Sequence, residues 1–113
     1  MEFIARVRAI LRRNKELDSI TYGILEFSYA MHRVKVYDII IALTHKEFEL
    51  LGFLLKHPNR VFSRDMLLEV LWGYSSESRT VDIHIKTLRQ KLGSAGLYIK
   101  TIRGVGYKIS KDF

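Results

Sequence analysis

The stretch Ser78 to Leu92, SRTVDIHIKTLRQKL, most limits what this chain can fold into, because its apolar and cationic residues fall on different sides of one helix. Val81, Ile85, Leu88 and Leu92 are spaced so that at about 100° per residue they form a single stripe. With that stripe inward, Arg79, Ile83, Lys86 and Gln90 point outward, and Thr80, His84, Thr87 and Lys91 line one flank. Asp82 and Arg89 share the other flank, where Asp82 can pair with Lys86 one turn on. A solvated surface helix usually mixes signs, but here the outer face and the first flank carry cations and no carboxylate. Cations, short hydroxyls, His and Gln are the groups that reach phosphates and base edges in a major groove.

The residues after this helix point to a hairpin. Tyr98 to Ile102 alternates at period two, Arg103-Gly104-Val105-Gly106 comes next, and Tyr107 to Ser110 resumes a strand pattern. This predicts two strands whose tight turn uses the positive φ that Gly permits. The Gly104-x-Gly106 pair does not make a phosphate-binding loop: no third Gly and no Lys-Ser/Thr follow, and the turn leads into a strand, not a helix. A basic helix plus a hairpin tipped by Arg103 predicts a winged helix-turn-helix, with the helix in a major groove and the wing at a minor groove.

Upstream, Phe3, Ile4, Val7, Ile10 and Leu11 form a helical stripe among Arg6, Arg8, Arg12 and Arg13, and the polar Asn14 to Asp18 reads as a linker. Ile20 to Leu43 reads as short antiparallel strands: Leu25, Phe27 and Tyr29 alternate, Val34 and Val36 alternate, and Ile39 to Leu43 comes last. Turns are expected at Met31-His32 and Tyr37-Asp38. Thr44 with Glu47 three residues on forms a capping box that opens a helix through Phe48, Leu51, Leu54 and Leu55 to His57, which Pro58 ends. Ser63 caps the next helix, with Met66, Leu67, Val70 and Leu71 expected inward, Trp72 packing at its end and Gly73 terminating it. Gly73, Tyr74, Ser75, Ser76 and Glu77 form a loop.

Charge is concentrated, and its placement argues for a polyanionic partner. Residues 78–113 hold eight Lys/Arg against two Asp, a net +6 within a chain total of +7, and residues 1–17 hold five against two. A generically basic protein spreads its charge, whereas an electrostatic footprint gathers it. Apolar residues at 48% exclude disorder, and no apolar run approaches the roughly 20 residues of a membrane span. With 113 residues the chain makes one compact domain with an appendage. The absence of Cys excludes disulfides and thiolate zinc sites. Met1 to Arg13 interleaves charge with apolar residues, unlike a secretory signal, so the chain is read as cytoplasmic.

Several other residues have plain explanations. His32, His45, His57 and His84 lack ligand spacing and are scattered, so neither a metal nor another cofactor is expected. Asp65 and Glu69 lie one helical turn apart beside Arg64 and read as a solvated face. No nucleophile–base set accompanies them, which argues against an enzyme.

Three strings, LTHKEFELLGFLLKHPNRVFSRDMLLEVLWG, RTVDIHIKTLRQKL and IKTIRGVGYKI, resemble the OmpR/PhoB-type response-regulator effector domain over roughly Ile20 to Ser110. The resemblance implies an α+β winged helix-turn-helix: an N-terminal four-stranded antiparallel sheet, three helices and a C-terminal hairpin wing. It divides the chain into residues 1–13, similar to the last helix of a receiver domain, a linker at 14–18, and a DNA-binding domain at 19–113. The chain would then be the C-terminal part of a bacterial two-component transcription factor, with the phosphoacceptor aspartate and the histidine-kinase contact in a receiver outside it. Arg79, Thr80, Ile83, His84, Lys86 and Thr87 would face the major groove of double-stranded DNA, with Ile83 against a thymine methyl. Arg103, near Thr101, would enter the minor groove. The loop Gly73 to Glu77 would touch RNA polymerase, and Arg6 and Arg13 would serve a receiver dimer interface. The chain alone would be monomeric, and two copies would lie in tandem on DNA. One departure is Thr87, where relatives often carry Arg and with it a bidentate guanine or phosphate reader. The alternative is a winged-helix module for protein or RNA, which would bind duplexes weakly and without regard to sequence.

Overall fold

Alternation at Leu25 and Phe27, and again at Val34 and Val36, turns one face of a small sheet inward, and all four side chains are buried. A computed structural model describes residues 19–73 and 77–111. The sheet contains β1 (Ser19–Tyr22), β2 (Leu25–Ser28), β3 (Arg33–Val36) and β4 (Ile39–Ile41), antiparallel throughout and in sequence order. Register is set by two-residue turns: Tyr22 pairs with Leu25 across Gly23-Ile24, and Val36 with Ile39 across Tyr37-Asp38. Tyr37 and Asp38 both have positive φ, as the primed turns of tight hairpins require. β4 is shorter than the predicted Ile39 to Leu43, and as an edge strand it leaves Ile39 and Ile40 exposed.

Helix α1 (His45–Lys56) opens with the expected capping box: the Glu47 N–H donates to Thr44 Oγ1 at 3.2 Å, and the Thr44 N–H donates to Glu47 Oε1 at 2.8 Å. The sheet lies on this helix through rings, with Phe27 stacked on Phe48 at 4.4 Å between centroids. A β-carbon on Gly52 would run into Phe27 and Tyr29, so a helix-interior Gly is what lets sheet and helix meet. Its propensity cost of about 1 kcal/mol is offset by that packing.

Strand β5 (Phe62–Ser63) precedes α2 (Arg64–Trp72), whose first turn is capped by Ser63 Oγ accepting from the Met66 N–H at 3.1 Å. The inward set of α2 differs from the expectation. Leu67 and Leu68 are buried, whereas Met66 is 41% and Val70 53% exposed. The helix has nine residues and touches the core through one narrow arc, which Leu67, Leu68 and the half-buried Leu71 fill. Met66 and Val70 fall on the side shared with the exposed Asp65 and Glu69.

Helix α3 (Arg79–Leu92) places Val81, Ile85, Leu88 and Leu92 in the core, none more than 2% exposed. Burying each such side chain contributes about 1.5–3 kcal/mol. A 3₁₀ segment (Gly93–Tyr98) leads into β6 (Ile99–Ile102) and β7 (Gly106–Ile109). The predicted hairpin is therefore present, but it belongs to a three-stranded sheet of order β5-β7-β6, with Phe62 paired to Tyr107. Two residues that pair with a strand more than 40 positions away leave no periodicity to read. The sheets at the two ends of the domain are tied together: the Ile24 N–H donates to the Tyr98 hydroxyl and the Lys111 N–H to the Tyr22 hydroxyl, both at 3.1 Å. The expected N-terminal helix and linker, with Arg6 and Arg13, lie outside the described residues, as do Tyr74, Ser75 and Ser76.

Candidate nucleic-acid interface

The outer face of α3 is the one the stripe dictates. Arg79, Ile83, Lys86 and Gln90 are exposed, Ile83 at 55%, an uncovered aliphatic group among cations. Thr80, His84 and Thr87 stand on the flank turned toward α1 and the end of α2, and each is half-buried. His84 Nδ1 lies 2.8 Å from the Thr80 carbonyl oxygen. A carbonyl only accepts, so Nδ1 is the donor of this pair. The imidazole also packs edge-on against Trp72, 4.9 Å between centroids, so its orientation is fixed from two sides. Trp72 itself packs against the core, as expected. The Thr87 hydroxyl lies 3.2 Å from the carbonyls of both Ile83 and His84, and it also faces the Glu47 carboxylate.

Lys91, at the end of this flank, is drawn inward. Its Nζ lies 2.6 Å from Oε1 of Glu47, whose side chain is 2% exposed. Burial alone would push the Glu47 carboxyl up. Hydrogen bonds from Lys91, from the Thr44 backbone N–H and from the Thr44 and Thr87 hydroxyl groups outweigh it and hold the carboxyl at about 2. Thr44, Glu47, Ile83, His84, Thr87 and Lys91 border a depression of about 210 Å³ beside the helix.

The opposite flank of α3 faces the wing. Asp82 does not pair with Lys86. Its Oδ2 lies 2.9 Å from Arg64 Nη1, and its Oδ1 accepts from the Tyr107 hydroxyl at 2.5 Å. Asp82 projects toward β7 while Lys86 projects outward, so partners from other elements win. Burial first, and then the hydrogen bond to Asp82 and that carboxylate's charge, push the Tyr107 phenol up to about 12. Arg89 donates from Nε to the Ile99 carbonyl at 3.0 Å and from Nη2 to Thr101 Oγ1 at 2.6 Å. Arg103 and Gly104 sit exposed at the turn, which the Val105 N–H closes on the Ile102 carbonyl at 2.9 Å, with Gly104 at φ 75°.

Six expected contact residues thus share α3 while Thr101 and Arg103 share the wing beside it, and Gly73 and Glu77, which lie between α2 and α3, are both exposed. Sequence reading missed Arg64, Tyr107 and the part played by Asp82 and Arg89. These contacts span 10 to 25 residues, and only Asp82 and Arg89 carried a signal, as a shared flank. Of the four His, His32 stacks on Phe48 and on His45, the latter at 5.7 Å between ring centroids, His57 stands edge-on to Phe53, and His84 packs on Trp72. Among the described residues no group of His, Cys, Asp or Glu is arranged to hold a metal ion, and no helix is long and apolar enough to cross a membrane.

A helical core whose last helix offers a cationic, carboxylate-free face, with a hairpin braced beside it, defines a winged helix-turn-helix domain. Residues 38–109 match the family described as "Transcriptional regulatory protein, C terminal", and the chain belongs to that family. It is 42% identical over 117 residues to the heme response regulator HssR of Staphylococcus aureus, covering 96% of this chain and 51% of that protein. The chain therefore spans about half the length of the curated relatives it matches. Among solved structures it resembles response regulator DrrB of Thermotoga maritima, an OmpR/PhoB homologue, with TM-score 0.78 and 35% identity over 96% of this chain and 51% of that one. It also resembles the DNA-binding domain of Klebsiella pneumoniae RstA, solved in complex with the RstA box, with TM-score 0.73, 32% identity and coverage of 81% and 96%.

Proposed function

We propose that this chain binds double-stranded DNA sequence-specifically and regulates transcription as the effector part of a two-component response regulator. The observation that carries this is the exposed face of α3, cationic and free of carboxylates, set beside a wing tipped by Arg103. In this reading Arg79, Ile83 and Lys86 enter the major groove, with Ile83 against a thymine methyl. Thr80, His84 and Thr87 meet the groove edge, where His84 Nε2 is an acceptor in the neutral ring and a donor once protonated. Arg103 enters the adjacent minor groove, where a narrow, negative groove favours Arg. Thr101, whose oxygen accepts from Arg89, keeps its hydroxyl proton for a phosphate.

The likeness to a domain solved on its DNA box supports duplex DNA as the partner. The rest comes from the family: residues 1–13 as the last receiver helix with Arg6 and Arg13 at a receiver interface, 14–18 as linker and 19–113 as the DNA-binding domain. A cognate histidine kinase acting through the receiver, RNA polymerase at the loop Gly73 to Glu77, a cytoplasmic setting and no catalytic activity belong to the same reading. Selecting bound duplexes from a random pool tests it. The expected outcome is an enriched motif, repeated in tandem at about one helical turn, roughly 10–10.5 bp. A pool that enriches no motif would overturn the reading in favour of a protein or RNA module.

A further inference from the structure

Asp82 and Arg89 are seven residues apart, two turns along one flank of α3, and each holds a different strand of the wing. Asp82 accepts from Tyr107 on β7, and Arg89 donates to Ile99 and Thr101 on β6. The Arg89 guanidinium also stands 5.7 Å from the centre of the Tyr107 ring, which joins the two holds into one bracket. Arg64, the first residue of α2, completes it by pairing with the second Asp82 oxygen at 2.9 Å. Four elements therefore meet at one carboxylate and one guanidinium.

A carboxylate in the first turn of a helix that approaches DNA is otherwise a liability, because it repels phosphate. Here both oxygens are engaged and an Arg neutralises the charge. The phenol proton of Tyr107 is not lost below about pH 12, so the donor persists at all physiological pH. The paired Arg64 and Asp82 side chains are 52% and 36% exposed, and ion pairs so exposed contribute little to fold stability. The bracket's effect is on geometry: beyond it the hairpin projects as a turn of exposed residues, Arg103 to Val105, beside a groove of about 200 Å³.

We infer that Asp82, Arg89 and Tyr107 are positioning residues that fix the offset between α3 and the wing tip, so that Arg103 reads the flanking minor groove in register with the major-groove site. The inference rests on the DNA-binding reading and deepens it. If the wing swung freely, Arg103 would still add charge but would sample many positions along the backbone. Its preference for a narrow A·T-rich groove would then be averaged away. Held rigidly, it makes flank composition part of the recognised sequence, because preorganisation lowers the ordering cost of the contact.

The test uses the whole 113-residue chain and three duplexes carrying the selected site: one with an A·T-rich flank, one with a G·C-rich flank, and one with the major-groove half-site scrambled. The wild type is expected to prefer the A·T flank by roughly fivefold or more and to lose affinity strongly on the scrambled site. Asp82→Ala and Tyr107→Phe are expected to bring the flank ratio down toward one, as Arg103→Ala does, while leaving the penalty for scrambling unchanged. Adding Asp82→Ala to Arg103→Ala should cause no further loss of flank preference. Tyr107→Phe keeps the ring and removes only the hydroxyl, so it tests the point even if Asp82→Ala folds poorly. Variants that keep the wild-type flank ratio, or that lose affinity equally for all three duplexes, would overturn the inference. A wild-type chain that binds the three duplexes equally would instead overturn the DNA-binding reading beneath it.

Discussion

Glu47 shows how one residue serves both the fold and the site. It closes the capping box of α1 and meets Lys91 of α3, so the carboxylate joins the two helices. Its folded pKa of about 2 lies below the ordinary 4.5, so its stabilisation is fully present above pH 4.5 and is lost as pH falls toward 2. Glu47→Gln should destabilise the chain at pH 7 by about 1–3 kcal/mol, read from urea midpoints, less than for a fully buried pair because Lys91 can turn to water. The gap between wild type and variant should narrow as the pH is lowered from 4.5 to 2, and a constant gap would contradict the assignment. Lys86 and Arg103 predict a different contrast. Lys86→Ala should weaken binding to all duplexes alike and reduce the salt slope by about one unit, as a phosphate contact does. Arg103→Ala should cost more on A·T-rich than on G·C-rich flanks, and equal losses on both would refute it.

At the scale of elements, the helix-turn-helix is built from α2 and α3 with a loop longer than the usual three or four residues. That loop, Gly73 to Glu77, carries a Tyr, two Ser and a Glu but no cation, which suits a protein partner better than a phosphate. Alanine at Tyr74 and Glu77 should leave operator affinity unchanged and alter transcription in a reconstituted assay, and lost DNA affinity would refute the assignment. The capping box of α1 and the stripes of α1 and α3 were legible because their signals lie within a few turns of chain. The burial of α2 was misread because its apolar residues outnumber the arc that touches the core, and only the neighbours choose among them. β5 was illegible for a related reason, since two residues have no period.

For the whole molecule, charge placement makes a quantitative prediction. Residues 78–113 hold eight cations: the structure engages Arg89 in the wing, Lys91 with Glu47 and Lys111 over the Tyr22 ring, and the others are Arg79, Lys86, Lys100, Arg103 and Lys108. If about five of these meet phosphates, at about 0.9 counterions released for each, log K against log salt should fall with a slope of roughly −4 to −5 per monomer. A slope near zero would exclude a phosphate footprint. The chain alone should sediment as a monomer at tens of micromolar. Tyr37, Ile39 and Ile40, the exposed apolar residues at the β4 edge, are far fewer than the roughly 20–30 residues a side of a stable interface. A dimer that survives removal of residues 1–17 would show that the DNA-binding part carries its own interface.

Taken alone, the sequence determined the three described helices α1 to α3, the hairpin, the side of α3 that is buried and the side that is exposed. Each comes from residues close together in the chain, where backbone geometry converts spacing directly into a face. Tertiary structure decided which charges remain available and which are consumed. Asp82 faces Arg64 and Tyr107 rather than Lys86, Lys91 turns in to a buried Glu47, and Thr101 accepts from Arg89. The physical reason is that an ionic or hydrogen-bonding side chain has several partners within reach along its own helix. The one it takes depends on desolvation and distance to elements brought near only by the packing of the core.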